Sequence, residues 1–208
     1  GADEAIFNSN NFSKFNGQGK IKLVTHHWGA NWNKGFDVYK KLDDLLYEKK
    51  WRELFEFTYI GNLPKNFKFN NVKYLKPLAG KDLAKELSKN NLYITASLNE
   101  PSGNHHMEGA LCGLPLMYVD SGGITEYCED YGIVFDTESL ESKLLEFNKN
   151  YKIYNEKMEL YPFTSNQMCQ NYLNLFIKAY SNKDESKQFY GTQIGKKIYK
   201  LKKIINNF

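Results

Sequence analysis

Two short apolar, β-prone runs, LYITAS at Leu92–Ser97 and LPLMYV at Leu114–Val119, are separated by a segment with room only for a loop and one short helix. This makes a strand–loop–helix–strand unit. Ser102 or Asn104 can cap the helix, and Gly113 followed by Pro115 ends it, which predicts a helix from Asn104 to Cys112. A helix N-terminus carries orphan N–H groups and the positive end of the macrodipole, and Gly103 lets the backbone come close to whatever sits there. An anion, most simply a phosphate, is the natural guest. Glu100 lies in the loop and Glu108 one turn into the helix, so both carboxylates can border a crevice at the carboxyl end of a parallel strand. Carboxylates repel phosphate but accept hydrogen bonds from hydroxyls. Such a site suits a nucleotide sugar, which carries a pyrophosphate between two polyols.

The rest of the chain repeats the alternation. Strands are expected at Ile21–His26, Phe55–Gly61, Val72–Leu75 and Gly132–Phe135. Helices are expected at Phe36–Glu48, Asp82–Lys89 and Thr125–Glu129, followed by three more at about Thr137–Asn148, Lys152–Leu160 and Ser165–Asn182. Strands alternating with helices predict an α/β fold, a Rossmann-like, mostly parallel sheet covered on both faces. Residues 1–20 are rich in Asn, Ser and Gly and read as a linker, 21–182 as the sheet domain and 183–208 as a tail.

The motifs then carry a resemblance. Two glutamates with seven residues between them, a glycine third after the first, and the run EGALCGLP resemble the donor-site motif of retaining GT-B glycosyltransferases of family 4. KGFDVYKKL (Lys34–Leu42), YIGNLP (Tyr59–Pro64) and SGGITEY (Ser121–Tyr127) stand in the order of that family's C-terminal domain. The similarity covers about Ile21 to Asp136 and continues more weakly to about Tyr180. A GT-B enzyme has two such domains, so the resemblance implies the donor-binding half, with the acceptor held by an N-terminal half absent from this chain. EAIFNSNNFSKF resembles the linker between the halves.

The resemblance also implies roles. Glu100 would bind hydroxyls of the donor sugar and Glu108 the ribose. Lys34, beside Gly35 at the mouth of a strand–loop–helix turn, can neutralise pyrophosphate oxygens and the charge that develops on the leaving nucleoside diphosphate. The family pairs this lysine with an arginine a few residues earlier, but the region here reads THHWGANWN. Either His26 or His27 takes over part of that function, or the phosphate contacts are weaker. His105 is expected near the phosphates with Asn104, and His26 near the strand mouth. Gly122 and Gly123 allow close backbone approach to the donor, and Pro77 and Leu78 correspond to the loop that flanks the base. Trp28, Trp32 and Trp51 read as packing residues.

Adjacent histidines on a strand point to opposite faces, so at most one of each pair, His26–His27 and His105–His106, is expected to face the crevice. With no H-E-x-x-H or C-x-x-C spacing, no metal site is expected, and the resemblance implies no divalent metal or other cofactor. The formal net charge is +4, but residues 187–208 hold six lysines and no acids, and removing those six charges leaves −2. The basic character belongs to the tail, which argues against a nucleic-acid partner. The tail's Ile194, Ile198, Leu201, Ile205 and Phe208 keep helical spacing. It reads as a basic amphipathic helix that either packs on protein or lies on an anionic membrane near a lipid-linked acceptor. Three widely spaced cysteines argue against a disulfide framework and for a cytoplasmic setting. Rival readings are a GT-B sugar-nucleotide epimerase and a catalytically silent binding module.

Overall fold

The computed structural model describes residues 1–181 and divides into two compact units, residues 1–165 and 166–208. The first holds six strands: β1 Ile21–His27, β2 Phe55–Gly61, β3 Lys73–Leu75, β4 Leu92–Thr95, β5 Leu116–Tyr118 and β6 Gly132–Val134. They form one sheet in the order β3-β2-β1-β4-β5-β6, and every neighbouring pair is parallel. The helices are α1 Phe36–Leu45, α2 Lys49–Leu54, α3 Gly80–Leu87, α4 Asn104–Leu111, α5 Thr125–Cys128 and α6 Leu140–Lys157. The second unit begins within α7, Ser165–Ser181. The tail expected at 183–208 lies outside the described residues.

Two buried clusters cover the two faces of the sheet. One joins Leu23, Phe57 and Ile94 to Phe36, Tyr39 and Leu42 of α1 and Leu144 and Phe147 of α6. The other joins Val24, Tyr93 and Leu116 to Leu83 and Leu87 of α3 and Met107 and Ala110 of α4. The alternation Leu23/Val24 sends successive side chains to opposite faces, as a strand buried on both sides requires.

The local differences from expectation have physical causes. β4 stops at Thr95, not Ser97, because the next amides leave the ladder: Ala96 N–H donates to the Tyr39 hydroxyl (3.2 Å) and Leu98 N–H to the Asn33 carbonyl (2.7 Å). The two helices expected across 137–160 are one, α6, kinked at Asn150 (φ −110°, ψ 17°), with a short 3-10 turn after it. The Asn150 side chain donates to the Glu146 carbonyl at 3.1 Å, so the kink leaves that acceptor satisfied. The unexpected α2 lets Trp51, 2% exposed, reach the core just before β2. Residues 1–12 pack on the domain: Ala2 and Phe7 are buried with Leu87 and Met107, and Ala2 pairs with Thr164 in an isolated bridge. Among the tryptophans only Trp51 is a core residue, and Trp28 is 73% exposed.

Candidate functional site

The strand order reverses direction between β1 and β4, and their carboxyl ends open a crevice between the loops that follow them. A cavity of about 510 Å³ lies there, within the range of ligand sites. His26, Lys34, Glu100, Gly103, His105 and Glu108 line it, together with Asn104, Pro77 and Leu78, so nine of the twelve expected site residues converge. Both His26 and His27 border the cavity, contrary to the expectation of one per pair, because they sit at the very end of β1 where the strand edge opens. Of His105 and His106 only the former lines it.

The three remaining residues are glycines that hold the walls in place. Gly35 is left-handed (φ 94°), and a Cβ there would lie 2.5 Å from Ala96 Cβ, so only glycine lets the start of α1 rest on the exit of β4. That contact sets Lys34 against the crevice. Gly122 (φ 64°) packs on the backbone of Glu100, and Gly123 N–H donates to the Glu100 carbonyl at 2.8 Å. The close backbone approach expected at these two glycines is thus made to the Glu100 loop.

The N-cap of α4 is Gly103, with no side-chain cap. The expected cap by Ser102 or Asn104 does not form: the Ser102 hydroxyl donates to Tyr127 at 3.2 Å, and Asn104 is the first helical residue. The first-turn amides therefore have no side-chain acceptor and remain available to an anion. Each carboxylate is matched by a cation or a donor: Lys34 Nζ pairs with Glu100 Oε2, and His26 Nε2 lies 2.8 Å from Glu108 Oε2.

The sequence matches no family model and no curated protein. Solved structures do match. The pneumococcal O-GlcNAc transferase GtfA, solved with UDP and GlcNAc, aligns with 86% of this chain at 17% identity and a TM-score of 0.61 over 38% of its own length. The catalytic domain of starch synthase IV from Arabidopsis thaliana, bound to ADP and acarbose, aligns with 86% at 17% identity and 0.60 over 41% of its length. HepE from Anabaena, in complex with UDP-glucose, aligns with 76% at 18% identity and 0.57 over 49% of its length. The chain has the fold of one Rossmann-like half of a GT-B glycosyltransferase. It spans less than half the length of each of these three structures.

Behind the histidines of this GT-B half's cavity lies a layer of hydroxyls that sequence reading missed. Tyr93 Oη lies 3.1 Å from His26 Nδ1, Tyr39 Oη lies 2.8 Å from His27 Nε2, and Thr95 Oγ1 lies 2.8 Å from His105 Nε2. Desolvation, then the neighbouring His26, Lys34 and His106, holds His27 well below the usual imidazole range. His105 is lowered in the same way, by desolvation and then by His27, His106, His26 and Lys34. Burial pushes the Tyr39 hydroxyl up to about 12. Among the described residues no group of three or more His, Cys, Asp and Glu side chains is arranged to hold a metal ion, and no helix is long and apolar enough to cross a membrane. Ile6 and Phe7, from the expected linker, also wall the cavity near Leu78 and Leu83. The only signal for them in the sequence is an apolar pair inside an Asn-rich stretch.

Proposed function

We propose that this chain is the donor-binding half of a retaining glycosyltransferase, which moves a hexose-type sugar from a nucleoside diphosphate to a glycan or lipid-linked acceptor held by protein outside the chain. The observation that carries the reading is the convergence, in one cavity, of the uncapped α4 N-terminus with Lys34, Glu100 and Glu108. The diphosphate would sit at the α4 amides beside Lys34, the ribose at Glu108 and the sugar at Glu100. The base would lie toward Pro77 and Leu78, where Ile6, Ile60 and Leu83 supply apolar walls. The UDP, ADP and UDP-glucose bound in the similar structures support a ligand of this class.

In the transfer, the bond from C1 to the diphosphate oxygen breaks and the nucleoside diphosphate leaves with the electron pair. The acceptor oxygen bonds C1 on the face the leaving group vacates, and its proton passes to the departing diphosphate oxygen. Lys34 and the α4 amides stabilise the growing negative charge on the leaving group, an electrostatic contribution fixed before the reaction begins. No carboxylate is required as a nucleophile in this scheme.

The test is a calorimetric screen of the chain against UDP-, GDP- and ADP-sugars, followed by incubation of the whole enzyme with the donor that binds and a candidate acceptor. Free nucleoside diphosphate together with glycosylated acceptor is the expected result. An isomerised donor with no transfer would overturn it.

A further inference from the structure

Three hydroxyls stand behind three histidines of the crevice, and their geometry differs in one respect. Tyr93 faces Nδ1 of His26, which leaves Nε2–H to donate to Glu108. Tyr39 and Thr95 instead face Nε2 of His27 and His105. Each of these two hydroxyl oxygens already receives a backbone N–H, from Ala96 at 3.2 Å for Tyr39 and from Ser97 at 3.5 Å for Thr95. A hydroxyl has one proton to give, and for Thr95 the nearest partner is His105 Nε2. If Nε2 carried the ring proton, the buried Thr95 proton would lose its nearest acceptor, and Tyr39, the other side chain it can reach, offers no hydrogen bond as short.

The other ring edge of His105 meets the cavity. A Cβ on Gly103 would lie 2.6 Å from His105 Nδ1 and 3.0 Å from Glu100 Cγ, so the bare glycine leaves Nδ1 open to the space between the Glu100 loop and the first turn of α4. Because His105 is held neutral at physiological pH, it carries a single N–H.

We propose that Thr95 is a positioning residue that fixes His105 as the Nδ1–H tautomer, and that this N–H donates, uncharged, to the donor diphosphate at the α4 N-terminus. The phosphate partner rests on the proposed function, whereas the tautomer does not. The result is a directional donor, set before the ligand arrives, that adds no positive charge beside the Lys34–Glu100 pair.

The experiment is ¹⁵N NMR of the full chain with labelled histidine, the four imidazoles assigned by single His→Asn variants, combined with calorimetry using UDP, GDP, ADP and the corresponding nucleosides. In the wild type His105 should carry its proton on Nδ1 and show no titration between about pH 8 and about pH 6. Thr95→Val should move the proton toward Nε2 and weaken whichever nucleoside diphosphate binds by roughly fivefold to tenfold, with nucleoside binding unchanged. Thr95→Ser should restore both. A wild-type His105 protonated on Nε2, or a tautomer and diphosphate affinity unmoved by Thr95→Val, overturns the inference. Failure of the wild type to bind any of the three diphosphates overturns the donor reading and the phosphate partner with it, while the NMR still decides the tautomer.

Discussion

His26 Nε2 lies 2.8 Å from Glu108 Oε2, a contact that ties the end of β1 to the second turn of α4 across 82 residues of chain. Tyr93 holds the other side of the imidazole, its hydroxyl 3.1 Å from Nδ1 and accepting the His26 backbone N–H at 3.2 Å. Glu108 is therefore oriented from behind before any ligand arrives. His26→Ala should free its carboxylate and weaken nucleoside diphosphate binding about fivefold, the loss of one hydrogen bond. Tyr93→Phe strands a buried backbone N–H and should lower stability by about 1–3 kcal/mol. Calorimetry and urea denaturation measure the two effects separately.

The two glutamates should separate by the step they serve. If Glu108 holds the ribose, Glu108→Ala weakens bare nucleoside diphosphate and donor alike, by roughly tenfold to a hundredfold. Glu100, close to the reacting sugar, should leave diphosphate affinity nearly unchanged when replaced by alanine and lower turnover of the whole enzyme. The opposite pattern in calorimetry and kinetics would reverse the assignment.

Acid should destabilise the domain through its buried imidazoles. Neither ring nitrogen of His106 has a hydrogen-bond partner, and burial, with His26 nearby, lowers its pKa from 6.5 to about 4. Since the folded pKa lies below the unfolded one, the unfolded chain binds the proton first. Stability is full above about pH 6.5 and falls as pH drops toward about 4, by on the order of 3 kcal/mol for this group. His27 and His105, lowered in the same direction, add to the slope. Urea midpoints measured between about pH 7.5 and about pH 4.5 should fall steadily. His106→Phe should flatten the curve without loss at neutral pH, because the ring it replaces makes no hydrogen bond.

Gly122→Ala should disturb the site from a distance. The left-handed backbone (φ 64°) costs alanine about 1 kcal/mol, and its methyl would run into the Glu100 carbonyl. The Glu100 loop must then shift, so turnover should fall more than diphosphate affinity does. Equal losses in both would show that the loop moves together with the start of α4.

Much of this architecture can be read directly from the chain. The Leu92–Val119 unit announces itself because apolar strands, a Gly-Pro stop and two spaced carboxylates are local signals, and Glu100, Gly103 and Glu108 line one cavity. The histidine–hydroxyl layer is not local. Thr95 lies ten residues from His105, Tyr39 twelve from His27 and Tyr93 sixty-seven from His26; the parallel pairing of β1 and β4 brings the last pair together, and the packing of α4 and α1 on the sheet brings the first two. Phe7 was hidden for another reason: its Asn-rich surroundings lack periodicity, yet tertiary packing against Leu87 and Met107 overrides local composition. The cap expected from Ser102 fails to form because its hydroxyl donates instead to Tyr127, a residue beyond β5.

β1 stands at the middle of the sheet, registered with Phe55 through Ile21 on one side and with Leu92 through Leu23 on the other. The sheet therefore grows outward from it in two directions, and the crevice is the gap left where those two wings meet. A guest in that gap would touch both wings at once, Lys34 on one and Glu100 and His105 on the other. Bound there, it would act as a clasp between the two wings. Saturation at about a hundred times the dissociation constant resists opening by about 2.7 kcal/mol, so an occupied chain should outlast an empty one under protease by close to a hundredfold wherever cleavage waits on that opening.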